Sequence, residues 1–212
     1  MAPIDHARIE RAALCNLFTD IGPNAPTLCE GWTTRDLAAH LIVREHRPDA
    51  AIGLVASPLA AYGEKVRLAT AARSWDELVA EVRAGPPVWS PMRIALLDRA
   101  TNTVEFFVHH EDVRRGTDPW SARTIDPDLD AQLWSTLHRM SRFSMRKAPA
   151  GVVLATPDGR SVTANEAGPT VTLTGTPGEL TLFTSGRQTH AVVDLEGPDD
   201  LVAAMRIAQF GV

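Results

Sequence analysis

Glu105 and His109 stand four residues apart in a run that also carries Val104 and Val108. In an α-helix, at about 100° per residue, that spacing stacks a carboxylate and an imidazole on one face. Heads so placed converge beside the helix and can grip one divalent cation. His40, between Leu37 and Leu41, falls on the inward stripe of another helical segment. Two imidazoles and a carboxylate from separate helices of a bundle form a three-ligand set. Such a set leaves coordination positions for water or substrate, as catalytic sites do. The same residues also read without a metal, with Glu105 and His109 as a hydrogen-bonded pair and His40 as a satisfied core histidine. A glutamate on a core stripe is costly unless paired or metal-bound, which favours a joint role.

Helices must position these groups. Ile9, Ala13, Leu14, Leu17, Phe18 and Ile21 keep helical spacing up to Gly22-Pro23. Thr33 as N-cap, with Asp36 in a capping-box position, opens a helix through Leu37, His40, Leu41 and Val43. Any continuation past Pro48 would be kinked. Ser74 to Glu77 forms another capping box, and that helix ends near Gly85-Pro86-Pro87. A long helix is predicted from about Met92 to Arg115, with Ile94, Leu97, Val104 and Val108 on one stripe. A further helix runs from about Pro127 to Phe143.

After Lys147 the texture changes. Val152–Thr156 and Ser161–Ala164 read as strands around Pro157-Asp158-Gly159, and Thr170–Thr174 alternates as a half-exposed strand. Thr176-Pro177-Gly178-Glu179 caps a short helix over Leu180–Ser185. Ala191–Leu195 returns to strand, and Pro198–Ala208 makes a last helix. The fold class expected is α+β, a helical bundle over residues 1–147 followed by a small α+β domain over 148–212.

The run from Gly31-Trp32 through Asp36-Leu37 to His40-Leu41 resembles the first motif of the mycothiol-dependent maleylpyruvate isomerase family. That family lies within the DinB-like superfamily of metal-binding four-helix bundles. Glu105 to Arg115 is similar to its second motif, and Gly178 to Arg187 to the small sterol-carrier-like domain appended to the bundle. The resemblance implies that His40, Glu105 and His109 are the metal ligands, most often to zinc, with nickel, iron or manganese as alternatives. It implies mycothiol as thiol cosubstrate and a small electrophile as partner. Coordination favours the thiolate, the nucleophilic form. The reaction is then a transfer that keeps the thiol adduct, or a cis–trans isomerisation by addition, rotation and elimination. Arg187 is the candidate catalytic cation for the substrate's carboxylates; a helix-terminal arginine satisfying carbonyls is the alternative. The rival function is a non-catalytic metal- or small-ligand-binding protein on the same bundle.

Other residues receive plainer readings. Cys15 reads as a buried small hydrophobe, and Cys29 as a loop cysteine with no special role, a reactive thiol being the alternative. Trp32 reads as a hydrophobic staple at the helix entrance. His110 turns to another side of its helix than His109, Glu45 and His46 read as solvated helix residues, with support of the metal ligands by one of them as the alternative, and Glu111-Asp112 as a solvated face. Composition sets the outer bounds. With 44% hydrophobic and 22% charged residues the 212-residue chain has ordinary globular usage. A net charge of −5 gives no basic footprint for nucleic acid. Ala50–Tyr62 is too short to span a bilayer, and the charged N-terminus lacks a signal-peptide pattern, so a cytoplasmic monomer or homodimer is expected.

Overall fold

The computed structural model describes residues 4–50, 59–87 and 95–210, with backbone alone over 95–101. Trp89, Met92 and Ile94 lie outside the described residues, as does the side chain of Leu97. The chain divides into two compact units, Met1–Trp120 and Ser121–Val212.

The first unit is helical, with α1 His6–Ile21, α2 Thr34–His46, α3 Ala60–Ala71, α4 Trp75–Ala84 and α5 Ala95–Arg114. Its core draws Leu14, Cys15 and Phe18 from α1, Leu37, Leu41 and Ile42 from α2, Leu78 and Val82 from α4, and Phe106 and Val113 from α5. Four helices thus enclose one core, and α3 packs on α2 from outside that set. The helix at Ala60–Ala71 has a weak apolar stripe and no predicted counterpart. In α1 the buried face is rotated from the predicted one, because Ile9 and Ile21 are exposed while Glu10 and Arg11 are buried. Their charges are paired, Arg11 with Glu45 and Glu10 with His110, which lets polar residues occupy an interior stripe.

Capping starts α2 where the spacing predicts. Thr33 N–H donates to the Asp36 carboxylate at 3.0 Å, and Arg67 of α3 pairs with the other oxygen at 2.7 Å. This helix ends at His46, is interrupted at Arg47, and the chain is helical again over residues 48–50. Arg47, placed before Pro48, adopts φ −127° and ψ 71°, outside the helical region that proline disfavours for its predecessor.

The second unit contains α6 Pro127–Ser144, β1 Gly151–Ala155, β2 Ser161–Asn165, β3 Thr170–Thr174, α7 Pro177–Thr184, β4 Asp194–Glu196 and α8 Asp199–Ile207. Strand order is β2-β1-β3-β4, with β1 and β3 parallel and the outer pairs antiparallel. Val152, Leu154, Val171 and Leu173 face Leu180 and Phe183 of α7, Met205 of α8, and Leu137 with Trp134 of α6. The compact unit therefore begins at Ser121 and takes in α6, which the sequence reading grouped with the bundle up to residue 147. The last strand is shorter and later than Ala191–Leu195, since a 3-10 turn at Gln188–His190 precedes it.

Candidate metal centre

α2 and α5 bring His40, Glu105 and His109 together. Glu105 Oε1 stands 3.4 Å from His40 Nε2 and 3.3 Å from His109 Nε2. One ligand atom from each of the three residues lies within 4.8 Å of the other two. The carboxylate–imidazole distances are long for charge-assisted hydrogen bonds, which run to about 2.9 Å. They match the edge of a tetrahedron, because donors about 2.0–2.1 Å from one ion stand roughly 3.3–3.4 Å apart. The residues present fit a divalent cation.

Each of the three side chains has its own support. His109 Nδ1 is 2.9 Å from Asp112 Oδ2, so Nδ1–H donates to that carboxylate and Nε2 turns towards Glu105. Trp32 flanks the His40 ring at a centroid distance of 5.2 Å, and the His109 ring meets it edge-on at 5.3 Å. His40 Nδ1 is buried with no partner among the described residues, so packing fixes this ring more than hydrogen bonding does. Arg44, one turn beyond His40, places Nε 3.2 Å from Glu105 Oε1 and donates from Nη1 to Asn102 Oδ1 at 2.7 Å. The side chains of His40 and Glu105 keep 16% and 24% exposure, so a guest molecule can reach them.

Electrostatics separates the two histidines. Burial pushes the His40 imidazole below its ordinary value, outweighing the Glu105 carboxylate. Burial acts the same way on His109, but hydrogen bonds with Asp112, Cys29 and Glu105 overcome it and hold this ring well above its ordinary value. Desolvation would raise the Glu105 carboxyl, yet His109 and His40 hold it well below the usual range. The cluster therefore favours an ionised carboxylate beside one neutral imidazole.

A loop completes the surroundings. Thr27 Oγ1 accepts from Cys29 N–H at 3.2 Å and donates to Trp32 O at 2.9 Å, while Leu28 N–H donates to Asp112 O at 3.0 Å. This docks Cys29 on α5, with Sγ 3.3 Å from Asp112 Oδ2. A Cβ at Gly116 would lie 2.3 Å from the Pro26 carbonyl oxygen, so only glycine lets this loop close on the end of α5. Cys29, His109 and Asp112 form a second convergent donor set.

Several plainer readings are corrected here. Glu111 and Asp112 are fully buried, Glu111 against Arg114 and Arg115, Asp112 against His109 and Cys29. Glu45 is buried against Arg11, and His46 Nδ1 meets Glu81 at 3.1 Å. His110 does turn away from His109, towards Glu10 on α1 at 2.9 Å. Asp112 was detectable as the i+3 neighbour of His109 and Arg44 as the i+4 neighbour of His40. Cys29 lies in a loop without periodicity and carried no such signal. Arg187 belongs to the second unit, where its Nη1 donates to Ser185 O and its backbone N–H to Leu182 O.

Among the described residues, no helix is long and apolar enough to cross a membrane. No curated protein matches the chain. The fold is similar to the crystal structure of a mycothiol-dependent maleylpyruvate isomerase, with TM-score 0.62 and 15% identity over 90% of each chain. A histidine-to-alanine mutant of a protein so titled aligns equally well, at TM-score 0.62 and 14% identity over 90% of each chain. Residues 4–114, which hold every member of the His40 cluster, match the family model described as the mycothiol maleylpyruvate isomerase N-terminal domain. The chain belongs to that family, as an α+β protein whose helical bundle precedes a small sheet domain.

Proposed function

We propose that the chain is a metal- and mycothiol-dependent isomerase or transferase acting on a small electrophile, with His40, Glu105 and His109 as the metal ligands. The convergence of these three side chains from two helices, with part of their surface open, carries the reading. When bound, a divalent cation, zinc foremost, would favour the thiolate form of a coordinating thiol and so supply the nucleophile.

The chain's own residues prepare that chemistry. Burial keeps His40 neutral, so its Nε2 lone pair is available to a cation. Asp112 accepts a hydrogen bond from His109 Nδ1–H, orients the ring and raises the basicity of Nε2. Arg44 holds the Glu105 carboxylate against α2. Arg187 remains the proposed cation of the second unit for a substrate carboxylate.

Elemental analysis of the purified protein tests the ligand set. About one divalent ion per chain is expected, with loss of most of it in His40→Ala, Glu105→Ala and His109→Ala. Metal content unchanged in His40→Ala would sink the assignment. Turnover of maleylpyruvate with mycothiol, followed by absorbance, tests the reaction; retention of thiol without turnover would assign a binding protein instead.

A further inference from the structure

Arg44 enters the metal cluster from α2, and much of its guanidinium is unused. Of five N–H donors, one meets Glu105 Oε1 and one Asn102 Oδ1. Nη2 makes no hydrogen bond or ion pair with the described residues, nor is it among their buried unpartnered atoms, so it faces accessible space. The side chain as a whole is only 14% exposed. The two bonds it makes fix the plane of the guanidinium, leaving the Nη2 side presented as a preorganised fork for a planar anion.

Charge points the same way. The ligand set supplies a single carboxylate, partly offset by Arg44, and Asp112 is occupied by His109. A divalent cation added to this set would leave the cluster net positive, which suits a guest carrying negative charge. Nε of Arg44 lies 3.2 Å from the oxygen that both imidazoles approach, so the fork is within a small molecule's span of the cluster.

We infer that Arg44 binds a carboxylate of the small electrophile and orients it against the metal cluster. This inference rests on the proposed metal site for its catalytic meaning, while the anion contact belongs to Arg44 itself.

Calorimetric titration with succinate and with its uncharged dimethyl ester separates the two. Wild-type protein, metal-loaded and chelator-stripped, should bind succinate and bind the ester at least about tenfold more weakly, as loss of a charge-assisted pair predicts. Arg44→Gln should weaken succinate binding about 10- to 100-fold against wild type of the same metal content, with Arg44→Lys restoring part of it. In turnover, Arg44→Lys should raise KM for a carboxylate substrate more than it lowers kcat. Succinate affinity unchanged in Arg44→Gln, or equal binding of acid and ester by wild type, overturns the inference. Absence of metal from wild-type protein would instead overturn the ligand assignment, and Arg44-dependent succinate binding by the stripped protein would still be read.

Discussion

Asp112 is the residue on which the behaviour of His109 turns. It is fully buried, shares an oxygen with His109 Nδ1 and Cys29 Sγ, and decides which ring nitrogen faces Glu105. Removing such an outer partner typically lowers metal affinity about 10- to 100-fold. Asp112→Ala is therefore expected to shift a chelator-competition titration by that amount, and Asp112→Asn, which still accepts the Nδ1 proton, to shift it less. Equal affinity in all three proteins would show that His109 needs no orientation. The spacing of Glu105 and His109 made the pair visible in the sequence, and Asp112 sat on the same face three residues later. It was read as solvated because an acidic residue beside another acidic residue on a helix normally is. His109 and the docked Cys29 loop reverse that expectation for Asp112, as Arg114 and Arg115 do for Glu111.

At the scale of elements, capping and periodicity decided most of the helices. The Thr33–Asp36 start of α2 sets the register that aims His40 at α5, and Arg67 reinforces it from α3. Desolvation of Asp36 works against ionisation, but hydrogen bonds from Arg67 and Thr33 prevail and hold its carboxyl below the ordinary value. A depressed folded-state value stabilises the protein above the unfolded carboxyl's titration, and the contribution is lost as pH falls through the folded one. Asp36→Ala should therefore lower stability by about 1–2 kcal/mol at neutral pH. The gap to wild type in urea denaturation should close in acid; a gap independent of pH would mean the loss is packing alone. What local rules missed is equally physical. The helix Ala60–Ala71 owes its place to packing on α2, and the rotated face of α1 exists because Arg11 and Glu10 find buried partners on other helices.

At the scale of the whole chain, each unit has its own core, and α6 closes the second one through Trp134 and Leu137. A fragment of residues 121–212 should unfold cooperatively in denaturant, with a circular dichroism signal of mixed helix and sheet. A fragment of 148–212, lacking α6, should not, because Leu137 and Trp134 no longer cover the sheet. Cooperative folding of the shorter piece would return the boundary to residue 147. The amino-acid sequence by itself determined the α+β class, the order of the main elements and the faces carrying His40, Glu105 and His109. Those features follow from local periods, caps and turn residues that act within a few positions of themselves. Tertiary structure alone decided which charges are interior, that Cys29 joins the cluster, and that α6 belongs with the sheet. These depend on partners far along the chain, whose approach no local spacing encodes.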